Sequence, residues 1–313
     1  MQVIKPETTG SPLGQVADAD LRLLRVFQGV VECGGMAAAE RQLNLAVSTI
    51  SRHIKDLETR LGLILCRRGR GGFALTPEGE RIYAEASALL AATNQFRSRV
   101  DDIRARLDGE LRLALFEKTA SNPAARVAEA IALFRRRAPG VDLNLTVGTI
   151  TAIERGVIDG QFHVGLVPEH SRSDSLRYLP LFGETMLLYA GRGHRCFAVN
   201  DTRLDWEALA AEPLAGLGYH SPNMHITSRR GLRRHASGSD QEAVATLVLS
   251  GEFLGFLPDH YAAGFVAAGR MRAVNPAELR YDCTFSAIVR RAPAPLRITE
   301  TFLECLQQAH GTA

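Results

Sequence analysis

The side chains best equipped for chemistry in this chain of 313 residues lie close together: Val47, Ser48, Thr49, Ser51, Arg52 and Lys55, then Arg67, Arg68 and Arg70. Hydroxyls donate and accept hydrogen bonds, and Arg and Lys add donors with positive charge. Such a set suits contact with base edges and phosphates. Spacing decides whether the groups can act together. Ile50, Ile54, Leu57 and Leu61 fall 4, 3 and 4 residues apart, the buried stripe of a helix. Val47, Ser48, Ser51, Arg52 and Lys55 then face outward near its start. A helix that offers Ser, Arg and Lys from its first turns can enter a DNA major groove. An ordinary solvated helix carries the same residue types, so this helix alone does not decide the matter.

The flanking elements add weight. Asp20 is expected to cap a first helix in which Leu21, Leu24, Phe27, Val30 and Val31 recur at helical spacing, and Gly34–Gly35 ends it. A second helix, about Met36 to Leu43, is small on one side (Ala37, Ala38, Ala39), which permits close helix approach, and Asn44–Leu45 supplies the turn. Beyond the third helix, Leu65 and Phe73–Leu75 bracket Arg67-Arg-Gly-Arg-Gly-Gly72, the pattern of a β-hairpin wing with arginines for phosphates or a narrow minor groove. A nucleotide-binding glycine loop is excluded, because neither a strict GxGxxG nor a P-loop is present. The net charge of +3 is uninformative, but between Ser51 and Arg70 the basic residues Arg52, Lys55, Arg60, Arg67, Arg68 and Arg70 face only Asp56 and Glu58.

Thr76 is a good N-cap and Pro77 fits a first helical turn. No breaker follows until Gly109, and Ile82, Ala86, Leu89, Thr93, Phe96, Val100, Ile103 and Leu107 alternate at spacings of 4 and 3. That seam suits pairing with a partner helix over about 40–45 Å. Packing on the chain's own C-terminal half is the competing use.

From Glu110 the periodicity changes. Strands are expected at Leu111–Phe116, Val141–Val147 and Phe162–Val167, with helices at Ala124–Arg137 and Ile150–Gly160 between them. A second set comprises a strand at Leu181–Tyr189, a helix near Leu204–Ala211, a strand near Leu214–Leu217, a helix at Asp240–Leu249 and a strand at Phe253–Leu257. Tyr281–Val289 and a helix from about Pro295 to Gln308 close the chain. Such alternation implies parallel βαβ units.

Catalytic chemistry finds little footing. His220, His225, His235 and His260 lack HxxxH or HExxH spacing, no GxSxG elbow occurs, and no metal site or cofactor is expected. The five scattered cysteines contain no CxxC and read as reduced structural thiols. No signal peptide follows Met1 and no apolar run approaches the ~20 residues of a membrane span, so a cytoplasmic protein without a membrane partner is expected.

Residues 20–79 resemble the winged helix-turn-helix of LysR-type transcriptional regulators. Ala46-Val-Ser-Thr-Ile-Ser-Arg52 stands where that family usually reads Ser-Gln-Pro-Ala-Leu-Ser-Arg, and Leu57-Glu58, Leu61-Gly62, Leu65, Arg67 and Leu75-Thr-Pro-Glu-Gly79 follow its pattern. Val47 and Ser48 depart from it, and Val47 can only touch a thymine methyl. Gly251-Glu-Phe-Leu-Gly-Phe-Leu-Pro258 resembles a strand of the same family's two-lobed, periplasmic-binding-protein-like sensor. The resemblance implies a multidomain chain: a tail at 1–17, a helix-rich winged domain at 18–76, a dimerisation helix at 77–108 and an effector-binding α/β domain at 109–313. Within the last, lobe I is about 109–178 and 281–313, and lobe II about 179–280. Strand-to-helix junctions in such folds offer N–H groups and hydroxyls to small ligands. The candidates are Thr119, Ser121, Thr149 and Thr151, with His220, Ser221 and Asp240 across the cleft; Thr149 stands at the family's usual effector position. Double-stranded operator DNA, a small-molecule effector, RNA polymerase and a second or further copies (homodimer or homotetramer) are the implied partners. A solute-binding or enzymatic α/β protein whose N-terminal helices only dimerise it is the alternative, and an architectural DNA binder without a ligand is another.

Overall fold

The computed structural model describes residues 14–69, 72–103, 107–198 and 204–311. Arg70 therefore lies outside the described residues, as does most of the tail. The chain divides into two compact units, residues 1–97 and 98–313.

The first unit opens with three helices, α1 (Asp18–Glu32), α2 (Met36–Leu43) and α3 (Val47–Leu61). Leu23, Val26, Phe27 and Val30 of α1 meet Ala39 of α2 and Ile50, Ile54 and Leu57 of α3 in one core. The inward face of α1 is thus rotated from the expected one: Leu23 and Val26 are buried, while Leu21 and Leu24 are only half-buried. Asp20 is not the N-cap. Ala17 holds that position, and the Asp20 carboxylate accepts its N–H at 2.8 Å from inside the first turn. The α2–α3 turn is tight because Asn44 takes the left-handed conformation, φ 51°, which Asn tolerates better than most side chains. Two strands, β1 (Cys66–Gly69) and β2 (Gly72–Leu75), pair antiparallel from Cys66 opposite Leu75 to Gly69 opposite Gly72.

Helix α4 (Pro77–Ile103) starts on Thr76, whose Oγ1 accepts the Gly79 N–H at 2.9 Å and donates to the Ile64 carbonyl at 2.6 Å. A Cβ on Gly79 would stand 2.1 Å from the Leu65 carbonyl oxygen. The Leu-Thr-Pro-Glu-Gly run therefore welds wing to helix. Along α4 Leu89 and Phe96, seven residues apart, are 38% and 70% exposed. Leu107, expected on this helix, lies beyond its end and packs on the core of the second unit.

The second unit carries β3 (Gly109–Phe116), α5 (Val127–Arg137), β4 (Val141–Gly148), α6 (Ile150–Ile158), β5 (Val164–Pro168), β6 (Leu176–Gly191), the short α7 (Arg195–Ala198), β7 (Leu214–Leu217), α8 (Pro222–Arg229), β8 (Arg234–Gly238), α9 (Gln241–Leu249), β9 (Leu254–Pro258), α10 (Asp259–Ala267), β10 (Met271–Ala273), β11 (Arg280–Arg290) and α11 (Arg297–His310). Among the described residues its nine strands form one sheet, β4-β3-β5-β11-β6-β9-β7-β8, with β10 on β6. Each end is parallel, as βαβ connection requires, β3 pairing with β4 and β5, and β7 with β8 and β9. The long antiparallel pair β6 and β11 crosses the middle. Two lobes result.

The helix expected near Leu204–Ala211 is only a 3₁₀ turn, Ala208–Ala211. Asp205 Oδ1 takes the N–H groups of Glu207 and Ala208, and Pro213 follows at once, leaving no length for a helix. Helices α7, α8 and α10 and strands β8 and β10 were not expected. The apolar alternation of β4 marks a buried face only at its start, where Val141 is buried and Leu143 packs on the core; Leu145 and Val147 are exposed at the sheet edge.

Candidate nucleic-acid interface and interlobe cleft

Helix α3 is amphipathic in the sense the spacing demands. Ile50, Ile54 and Leu57 are fully buried, while Val47, Ser48, Arg52 and Lys55 are exposed, and Thr49 and Ser51 half-buried. The helix is held at both ends. Gly62 closes it in the left-handed conformation, φ 67°, a C-terminus that suits glycine. Glu58 Oε1 accepts the N–H groups of Leu65 and Cys66 at 2.8 and 3.2 Å, tying the wing's first strand to the helix. Arg67 is exposed on β1; Arg68 lies on the same strand opposite Phe73.

One cation of the local excess is committed elsewhere. Arg60 bonds the buried Asp20 of α1, its Nη2 at 2.7 Å, so it braces α1 against α3. The backbone N–H of Ala17 and the Arg60 guanidinium together hold the Asp20 carboxyl below its ordinary range.

In the second unit the lobes meet where β3 ends and α8, α9 and α10 begin. Contacts cross between them: Glu117 Oε2 accepts the Gln241 N–H at 2.8 Å, Lys118 Nζ meets Glu242 Oε2 at 2.8 Å, and Ser121 Oγ lies 3.0 Å from His260 Nδ1. Lys118 also sits over the Tyr261 ring, 4.4 Å from its centre. His260 Nε2 reaches Glu184 of β6 at 2.8 Å.

Two spaces open at this junction. A pocket of about 430 Å³ is lined by Glu117, Lys118, Thr149, Tyr219, Asp240 and Glu242 among others. A smaller cavity of about 10 Å³ is lined by Phe116, Glu184, Ser221, Asn223, Gln241 and Tyr281. Burial pushes the Glu117 carboxyl up to about 7; the Gln241 N–H opposes, Asp240 adds to the rise, and Lys118 and Glu184 act with smaller, opposite effects.

Of the expected ligand contacts, Thr149 and Asp240 line the larger pocket and Ser221 the smaller. All three are helix N-caps as well, accepting from Ala152, Ala243 and Met224. Thr119, buried and donating to the Phe116 carbonyl, lines neither space, nor do Ser121, Thr151 and His220. Glu117, Lys118, Glu184, Tyr219, Asn223 and Gln241 were missed. Only the position of Glu117 and Lys118 directly after a strand could have pointed to two of them. Among the described residues no group of three or more His, Cys, Asp or Glu side chains could hold a metal, and no helix is long and apolar enough to cross a membrane.

Residues 21–80 match the family described as "Bacterial regulatory helix-turn-helix protein, lysR family", and residues 104–311 the "LysR substrate binding domain". The chain belongs to the LysR family of transcriptional regulators. It joins a helix-turn-helix DNA-binding domain to an effector-binding domain, and it is a regulator rather than an enzyme. The HTH-type transcriptional activator BauR of Pseudomonas aeruginosa is 43% identical over 94% of this chain and 96% of its own length. The SDS degradation transcriptional activation protein of a Pseudomonas strain is 29% identical over 80% of this chain and 83% of its own. Crystal structures of CbnR, a LysR family transcriptional regulator, share the fold, with a TM-score of 0.60 at 21% identity over 93% of this chain and 99% of that one. CbnR complexed with its target DNA gives 0.59, again at 21% identity, over 92% and 99%. LysR regulators bind DNA and small-molecule effectors.

Proposed function

We propose that this regulator is a ligand-responsive transcriptional activator acting in the cytoplasm as a homodimer or homotetramer. The observation that carries the DNA contact is the two-sidedness of α3: Ile50, Ile54 and Leu57 are sealed in the core while Val47, Ser48, Arg52 and Lys55 are exposed over its first nine residues. Ser48, Thr49, Ser51 and Arg52 read bases, Val47 touches a thymine methyl, and Lys55 with Arg67, Arg68 and Arg70 neutralises phosphates. The exposed Leu89 and Phe96 support pairing through α4, which would put two winged domains on the half-sites of an inverted repeat. An effector in the cleft, with Thr149, Ser221 and Asp240 in its walls, shifts the arrangement through its differential affinity for two states. That shift alters contact with RNA polymerase. Activation rather than repression follows the name of the 43% identical relative.

Gel shifts on the chain's own upstream region test this reading. Arg52→Ala is expected to weaken specific binding at least tenfold, and wild-type binding to fall steeply with salt. Equal binding of wild type and variant to operator and random DNA, without salt dependence, overturns it.

A further inference from the structure

The cleft has a chemical bias that the regulator reading leaves unused. Asn223 and Gln241 are 4% and 3% exposed, both line the small cavity, and Asn223 Oδ1 and Gln241 Oε1 have no hydrogen-bond partner among the described residues. Native folds rarely leave such atoms unsatisfied. The cavity, about 10 Å³, has room for one group the size of a water molecule. Glu184, also buried, shares its wall. Beside it, in the larger pocket, Glu117 and Tyr219 are half-buried, but Glu117 Oε1 and the Tyr219 hydroxyl are shut off from solvent and have no partner among the described residues.

The carboxylates set the sign of the preferred ligand. Glu117, Glu184, Asp240 and Glu242 converge on the junction, whereas the cationic Lys118 Nζ is already engaged by Glu242 and the His260 ring by Glu184 Oε2 at 2.8 Å, leaving Glu117 and Asp240 without a basic side chain bonded to them among the described residues. An amide side chain can present either its oxygen or its NH₂, but a carboxylate cannot welcome an anion without first losing its charge. An ammonium group has three donors, no acceptor and the size of a water.

Building on the reading of this cleft as the effector site, we propose that the effector is a small amine. Its ammonium group enters the cavity between Asn223 and Gln241 against the Glu184 carboxylate, Glu117 provides a second counter-charge, and the rest of the molecule occupies the larger pocket.

The test uses the full-length protein, with calorimetry and thermal shift at pH 8 and constant ionic strength. Propylamine and 1,3-diaminopropane are compared with propionate and glutarate. The amines are expected to bind saturably and raise Tm, as any ligand selective for the native state does. Asn223→Leu and Glu184→Gln should weaken them at least tenfold. Glu117→Gln, which keeps an oxygen for the Gln241 N–H, should weaken them several-fold even if the Glu184 variant folds poorly. Binding of the carboxylates but not the amines overturns the proposal. So does the absence of saturable binding by either series, the result expected if a water alone fills the cavity, and so does equal amine affinity in wild type and Glu117→Gln. Gel shifts run in parallel separate the two readings. Operator binding without amine binding sinks the ligand class only, while amine binding without operator binding supports the amine and sinks the regulator.

Discussion

Replacing Glu117 by Gln should stabilise the ligand-free protein, and the gain should grow with pH. In the unfolded chain this carboxyl titrates near 4.5, whereas in the fold burial raises it to about 7. The folded state therefore holds the proton more tightly, so stability is highest below about 4.5, falls as pH rises through 7 and is level above. The gap corresponds to about 3.4 kcal/mol at ~1.36 kcal/mol per tenfold change in proton affinity. Solvent reaches part of the side chain, and screening reduces this to about 2 kcal/mol. At pH 5 only about a quarter of the penalty has developed. The neighbours that set the value are the Gln241 N–H and Asp240 from α9, Lys118 beside it, and Glu184 from β6, with Tyr219 also in the pocket. Glutamine keeps the hydrogen bond and cannot ionise. Thermal melts of wild type and variant should differ at pH 8 by about 4–8 °C for a domain of this size, and by about a quarter of that at pH 5. His163, pushed down to about 3 by burial and by Arg112, also makes stability depend on pH. It is common to both proteins and cancels in the difference. Equal differences at the two pH values, or none at pH 8, would refute the reasoning.

Gly79→Ala should destabilise the N-terminal unit by roughly 3 kcal/mol or more, since the new Cβ would meet the Leu65 carbonyl at 2.1 Å; urea melts with DNA binding as readout check it. Thr76→Ala removes an N-cap and a bond to the Ile64 carbonyl and should cost about 1–2 kcal/mol in the same assay. Phe96→Glu places a charge on an apolar position of α4 that is 70% exposed; light scattering should show at least a tenfold weaker dimer, and an unchanged association state would remove α4 from the interface. Val47→Gln adds a base-edge hydrogen-bonding group at the start of α3 and should alter one position of the preferred operator by about 1–3 kcal/mol. In vitro selection that returns the wild-type site would show that Val47 does not face a base.

The N-terminal unit was legible because its information is local. The apolar positions of α3, the basic hairpin and the Leu-Thr-Pro-Glu-Gly run each lie within one short segment, and periodicity alone separates their faces. What escaped there depends on distant partners. Arg60 looked like one more cation for DNA until Asp20, forty residues earlier, was found to hold it. Asp20 itself resembled a cap, yet a residue in the first turn can bond the preceding N–H just as well. In the C-terminal unit the βαβ alternation identified the parallel ends of the sheet. Helix α8 stayed hidden although Ser221-Pro222 is a good start signal, because its Asn, His, Thr and Ser residues show no apolar period.

The cleft shows where sequence pattern stops carrying function. Its walls come from the ends of β3 and β7, the middle of β6, the starts of α6, α8 and α9, and β11. No window of the sequence contains more than a few of these residues. The residues favoured by local reasoning, Thr149, Ser221 and Asp240 among them, follow from helix capping at strand-to-helix junctions, and capping is common to every fold of this kind. The convergence of Glu117, Glu184, Asp240 and Glu242 on a junction where Lys118 is held by Glu242 and His260 by Glu184 is a property of the folded chain alone. A charge balance assembled from three segments, the end of β3, the middle of β6 and the start of α9, can change by single substitutions without disturbing any strand. The same scaffold can therefore be turned from one class of effector to another while the DNA-reading helix stays as it is.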